Sequence, residues 1–250
     1  MRDDISDILE SWPYEGDQTV RIIEASDGRR LLQVRLPVGI EQYEMDGRPD
    51  GQLAGDEETF LDYLERRLEA AGPGNFSIGH DDFILLQNES ILYYYRYIIL
   101  FQLGDYTRTV RDTGHNLRAC ELVERFVERE NDRSSLLQYK PYILRVHSVS
   151  RAMLLMKEKA FDDAAEILKK AVHEINSMED LDTAVFKIEK VRSLRQMRSF
   201  LSRVKSKETD PLESLEVELK RAVEEEDYER AAEIRDRIRE KTGNTESKDL

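Results

Sequence analysis

Glycine and proline partition this chain before any other signal does. Nine of its 12 glycines and four of its 6 prolines lie within the first 79 residues, so tight turns belong to one end. A glycine inside a helix costs about 1 kcal/mol relative to alanine, and a proline about 3 kcal/mol. A chain arranged this way builds short, frequently reversing elements first and long helices afterwards. The expected class is α+β: a small antiparallel β-meander with a covering helix over residues 1–72, an all-α helical body over 80–207, and a C-terminal αα-hairpin over 210–241.

From Thr19 to Met45, half-apolar runs alternate with turn residues: TVRIIEA, then Ser26, Asp27 and Gly28, then RRLLQVRLP, then IEQYEM before Asp46 and Gly47. The pattern predicts three short strands, with Asp27-Gly28 a strong hairpin signal. The connection through Pro37, Val38 and Gly39 reads either as a bend or as a second turn. Gly47, Pro49, Gly51 and Gly55 mark a loop, and Glu57 to Ala71 then reads as an amphipathic helix through Phe60, Leu61, Leu64 and Leu68. That helix is expected to cover one face of the sheet. Ala71 to Gly79, which includes Gly72, Pro73 and Gly74, reads as a linker and sets the expected domain boundary.

Beyond it, helical patterns cover Asp81 to Leu103, Tyr106 to Glu130, Ser134 to Lys157, Phe161 to Ser177 and Leu181 to Val204. Tyr93, Tyr94, Tyr95 and Tyr97 occupy successive helix faces, so they cannot all be core. The breaks Gly104-Asp105-Tyr106 and Lys159-Ala160-Phe161 share a form: a short turn, then an aromatic that opens the next helix. Phe161, Ala164, Ala165 and Ala171 resemble the packing residues of tetratricopeptide helix pairs, although the two breaks lie 55 residues apart, against about 34 in that repeat.

Charge excludes one broad function and leaves a local exception. With 38 basic and 52 acidic residues the net charge is −14, which disfavours phosphate-dominated nucleic-acid binding by the chain as a whole. Against that background, residues 187–207 hold Lys187, Lys190, Arg192, Arg195, Arg198, Arg203, Lys205 and Lys207 with only Glu189 opposing, +8 − 1 = +7. Val185, Ile188, Val191 and Leu194 are expected as the apolar edge of this basic helix. A contact with DNA or RNA phosphates, if the chain makes one, is placed on Lys187, Lys190, Arg192, Arg195, Arg198 and Arg203.

Catalytic patterns are missing from the sequence. No GxxxxGK[ST] loop or CxxC pair occurs, and the four histidines, His80, His115, His147 and His173, lack metal-ligand spacing. The lone Cys120 reads as a buried small residue and fits a reducing compartment. No catalytic residue, metal or cofactor is expected, so the chain reads as a non-enzyme. The acidic N-terminus MRDDISDILESWPYEGD has no signal-peptide core, and Ile91 to Leu103 is too short to cross a membrane. A soluble, cytoplasmic protein is expected.

The C-terminal stretch carries the clearest functional signal. Asp210 is placed to cap a helix, Pro211 suits its first position, and Glu213 suits a capping box. Leu212, Leu215, Leu219, Ala222 and Val223 recur at helical spacing; Glu224 to Asp227 interrupts them, and Tyr228, Ala231, Ala232, Ile234 and Ile238 form a second stripe. The run from Leu219 to Ile238, with Glu226, Asp227, Glu229, Arg235 and Asp236, closely resembles the UVR motif, named for the excision-repair proteins UvrB and UvrC. A shorter echo, Phe161, Ala164, Ala165, Glu166 and Ile167 against Tyr228, Ala231, Ala232, Glu233 and Ile234, reflects the shared physics of an aromatic-led helical hairpin.

In that family the motif is a helical hairpin that pairs with another such hairpin or docks on a partner protein. It also occurs in Clp-type ATPases and in activators of protein arginine kinases. The resemblance therefore implies a non-enzymatic adaptor or scaffold. Its partner would be a UvrB/UvrC-like or Clp-type protein, or a second copy in a homodimer, engaged through Leu219, Val223, Tyr228, Ala231, Ala232, Arg235 and Ile238. Two alternatives follow from the same resemblance: an accessory nucleic-acid-binding factor in nucleotide excision repair, and a regulator of a Clp-type ATPase or its kinase.

Overall fold

The computed structural model describes residues 5–16, 18–208, 215, 219, 222 and 227–243. A three-stranded antiparallel sheet of order β1-β2-β3 opens the fold, with β1 at Val20–Glu24, β2 at Arg30–Leu36 and β3 at Gly39–Glu44. Gly28 takes φ +83° in the first turn, a backbone state open to glycine at no steric cost. Leu36 pairs with Gly39, so Pro37 and Val38 form a second two-residue hairpin rather than a bend. Among the described residues the α-helices are α1 Ser6–Ser11, α2 Phe60–Ala71, α3 His80–Gln102, α4 Tyr106–Phe126, α5 Glu130–Leu137, α6 Lys140–Lys157, α7 Phe161–Ser177, α8 Ala184–Glu208 and α9 Tyr228–Gly243. The chain is thus α+β with a helical body.

Contacts divide the chain into two compact units. One holds the chain to His147 together with Asp180–Glu189, and the other holds Ser148–Glu179 and the chain from Lys190 onward. In the first unit, the sheet is covered by a different helix from the one expected. Leu32, Tyr43 and Met45 pack on Ile99 and Leu100 of α3, with Val20, Val34 and Ile98 at the edge. The single apolar stripe of α2 goes elsewhere: Leu61 and Leu64 join Phe83 and Leu86 of α3 and Ala119, Cys120, Leu122 and Val123 of α4. α3 is apolar on more than one side and can serve both layers, whereas α2 has only one buried face.

The glycine-rich stretch before α3 is not a free linker. Phe76 and Ile78 belong to the helical core, and the Ile78 amide donates to the Phe126 carbonyl at 2.9 Å. The expected helix to Glu130 ends at Phe126, and α5 and α6 are separate where one helix from Ser134 was expected. Pro141 sits in the first turn of α6, where its missing N–H is harmless; in a continuous helix it would leave the Leu137 carbonyl, four residues back, without a donor and clash with it, so α5 ends at Leu137. Of the tyrosine cluster, Tyr93 and Tyr97 are buried, while Tyr94 and Tyr95 are exposed.

Charges cross this core in pairs. Arg96 and Asp112 are both fully buried and joined bidentately, at 2.7 Å through Nε and 2.8 Å through Nη2. Arg96 Nη1 also donates to the Glu44 carbonyl at 2.8 Å, which ties the end of β3 to α3. The Glu89 carboxylate accepts from the Phe60 and Leu61 amides at 2.7 and 3.0 Å, so a residue of α3 caps the N-terminus of α2.

In the second unit, α7 buries Ala164, Ala165, Leu168, Ala171 and Ile175 on one stripe. α8 buries Ser193, Met197 and Val204 in this unit. No helix among the described residues is long and apolar enough to cross a membrane.

Candidate interaction site

Three helical hairpins of the chain are closed by one turn. After α3, the Asp105 amide donates to the Leu100 carbonyl, five residues back, at 2.9 Å; after α6, Ala160 does the same to Leu155 at 2.9 Å; near the C-terminus, Asp227 does so to Ala222 at 2.9 Å. This six-to-one bond closes a helix end through a residue in left-handed backbone. Gly104 holds that position in the first turn, with φ +74°, and Lys159 holds it in the second, with φ 62°. The donor residue then starts the next helix at once. Its carbonyl accepts from Thr109, Ala164 and Ala231 respectively, at 3.0, 3.1 and 3.0 Å. Asp105 and Asp227 add a side-chain cap, to Arg108 N at 3.1 Å and Arg230 N at 3.2 Å.

The third hairpin has a narrow apolar interior. Leu215, Ala222, Ala231 and Ile234 are buried together, with Leu219 and Ile238 packed against them. Alanine at two of these positions lets the arms approach closely. On the outer side of α9, Arg230, Glu233, Arg235, Asp236, Arg237 and Arg239 are exposed, and the Arg235 guanidinium lies 3.3 Å from Asp236. A model of the UvrB/uvrC motif matches residues 209–241. The chain carries a UVR motif. No curated protein and no solved structure matches the chain.

The UVR hairpin divides the expected docking residues by role. Leu219, Ala231 and Ile238 pack into the hairpin's own interior; Ala232 is half-buried and Arg235 is on the outer surface. Tyr228 opens α9, but its side chain and the whole of Val223 lie outside the described residues. Leu215, Ala222 and Ile234, which complete the interior, are legible in the same periodicity although none was expected to dock.

The basic helix is α8, and its apolar edge differs from the expected one. Ile188 is 55% exposed and Val191 68%, whereas the buried stripe is Phe186, Ser193, Met197 and Val204. Arg192, Arg195, Arg198 and Arg203 are exposed on one helix, and the Arg203 guanidinium lies 5.2 Å over the Phe200 ring. Lys187 is exposed and ion-paired to Asp182 at 2.8 Å. Lys190 stands apart from the rest: it is half-buried and donates to the Met178 carbonyl at 2.7 Å.

Elsewhere the structure joins residues that the sequence left isolated. His115 Nε2 lies 3.0 Å from Glu89 Oε1, its ring stacks on Tyr93 at 3.7 Å, and its Nδ1 faces Asn116 Oδ1 at 3.1 Å. Burial opposes ionisation of Glu89, but His115 and the Phe60 and Leu61 amides outweigh it and hold the carboxyl below its usual range. His80 pairs with Asp132 at 2.9 Å and His147 with Thr113 at 2.9 Å. Cys120 is fully buried, and burial pushes its thiol up to about 12. These contacts fasten helices to one another.

Proposed function

We propose that this protein is a non-enzymatic adaptor that engages a protein partner through its C-terminal UVR hairpin. The observation that carries the reading is the match over residues 209–241 to an interaction motif, together with a buried apolar cluster inside the hairpin and the exposed Arg230, Glu233, Arg235, Asp236, Arg237 and Arg239 on its second helix. A two-helix element of this size buries too little surface to make a stable domain by itself. Its outer charges suit it to steering and register in a protein complex. The test is a comparison of proteins captured by the intact chain and by the chain ending at Lys207, with an Arg235→Glu variant as a point probe. Loss of a specific partner on truncation, and weakened capture by Arg235→Glu, is the expected result; the same partners for both chains would sink the reading.

The exposed arginines of α8 support a second reading, an accessory nucleic-acid-binding factor. Ile188 and Val191 count against it, because they lie exposed among those cations and give a phosphate backbone nothing to neutralise. Oligonucleotide binding at low ionic strength tests this reading, and no binding there eliminates it.

A further inference from the structure

The buried stripe of α8 fixes which residues face away from it. On the outward side Val191, Arg195 and Ser202 follow one another along the helix, with Arg198 on one flank and Arg192 and Arg203 on the other; Ile188 precedes Val191 by one turn. Exposed β-branched side chains framed by guanidinium groups make a face that is both basic and apolar. A phosphate backbone would use only the cations. An acidic amphipathic helix would use both.

The chain itself contains such a segment. Residues 3–17 include Asp3, Asp4, Asp7, Glu10, Glu15 and Asp17 and no lysine or arginine. Within it, α1 has no buried side chain; Ile5 is 48% exposed and Ile8 50%, about one helical turn apart, with Asp7 and Glu10 exposed beside them. Six residues are too few to keep a helix by local bonding alone. The segment is nevertheless anchored just behind that helix. The Arg21 guanidinium lies 4.0 Å over the Trp12 ring, and Arg35 Nε donates to the Trp12 carbonyl at 2.7 Å. An apolar, acidic edge is thus presented from a fixed base.

We propose that the acidic N-terminal segment of one copy docks, through Ile5, Asp7, Ile8 and Glu10, on the Val191, Arg192 and Arg195 face of α8 in a second copy. Each copy carries both surfaces, and in the proposed dimer the contact is made twice, related by a two-fold axis. The inference goes beyond the adaptor reading and does not depend on it, because neither surface includes a hairpin residue. The apolar area is small and the charges are exposed, so the association is transient and salt-sensitive.

Sedimentation equilibrium of the full chain at about 50 mM and about 500 mM salt tests it, since screening is much stronger in the second. The expected result is a reversible dimer at low salt whose dissociation constant rises about tenfold or more in high salt, in Ile5→Ser/Ile8→Ser, and in Arg192→Glu/Arg195→Glu. Adding Asp7→Lys/Glu10→Lys to the arginine reversal should restore the dimer to within about threefold. All of these positions are exposed, so circular dichroism should match the parent chain. A monomer under every condition overturns the proposal, as does a dimer indifferent to these substitutions, or one lost on arginine reversal and not restored. A short labelled DNA duplex that binds the parent chain but not the arginine reversal, with no dimer formed, gives the face to nucleic acid and also overturns it.

Discussion

The α3–α4 hairpin and the UVR hairpin share a turn and differ in what lies between their helices. In each, an aspartate, Asp105 or Asp227, receives its place from a carbonyl five residues back and caps the following helix with its own side chain. Between α3 and α4 lie Arg96 clasped by Asp112, and Glu89 against His115, all buried. Between the UVR arms lie leucine, isoleucine and alanine, and Arg230, Glu233, Arg235, Asp236, Arg237 and Arg239 of α9 are exposed. Buried charges tolerate one geometry, because any other leaves one of them unpaired. A small apolar seam under a charged exterior is less committed to one geometry and leaves its polarity at the surface. The turn sets the topology, and the residues along the helices set what each hairpin is for.

The largest effect expected from this contrast comes from Asp112→Ala, which leaves the fully buried Arg96 without its carboxylate. A loss of about 3–5 kcal/mol in urea denaturation is expected. Replacing both partners by apolar residues, Arg96→Met with Asp112→Leu, should cost clearly less. If the single and double changes cost the same, the pair is not what fixes α3 against α4.

Glu89→Gln should cost about 2 kcal/mol near neutral pH, because charge-assisted bonds to His115 and two amides become weaker neutral ones. Its pH dependence has a definite sign. The folded carboxyl is held below its ordinary value of 4.5, so its stabilisation is fully present above that value and is lost as pH falls through the lowered folded one. Urea midpoints between neutral pH and the acid range should therefore fall more steeply for the parent chain than for Glu89→Gln. Parallel curves would refute the assignment.

Asp227→Ala and Asp105→Ala compare the shared turn directly. Each removes a cap worth about 1 kcal/mol. In the UVR hairpin the loss should appear as local opening, with amide exchange in α9 about fivefold faster and α3 and α4 unaffected. Asp105→Ala also removes the 3.0 Å ion pair to Arg108 and should shift the global midpoint. A global shift from Asp227→Ala would mean that the hairpin is as integral as the core.

Much of this was legible because its signals are local. Asp27-Gly28 located the first β-turn, and the stripe from Leu215 to Ile238 gave the hairpin interior. The misses are of two kinds. Pro141 was available as a marker between α5 and α6, but the strong periodicity around it ran the two together. The Glu89–His115 pair and the covering of the sheet by α3 depend on residues brought together across 26 positions or more, and nothing local announces them. α8 failed for another reason: serine at 193 lies on its buried stripe while isoleucine and valine lie exposed, so hydrophobicity pointed to the wrong face. Apolar residues kept outward on α8 have a reason outside the helix's own sequence, which is what the proposed docking face supplies.

The smallest effect, Lys159→Gly, asks how much of the shared turn is backbone. Gly104 takes left-handed φ freely, but Lys159 adopts φ 62° with a side chain, against a preference of about 1–2 kcal/mol. Glycine there should stabilise the α6–α7 turn, less the added freedom of the unfolded chain, for a net gain of up to about 1 kcal/mol. Thermal or urea midpoints of Lys159→Gly and of the reverse change, Gly104→Lys, should move in opposite directions. If Lys159→Gly gains nothing, the lysine conformation is already compensated by its surroundings. The likeness of the turns would then rest on the six-to-one bond and on the carbonyl that starts the next helix, the two features the UVR hairpin also has.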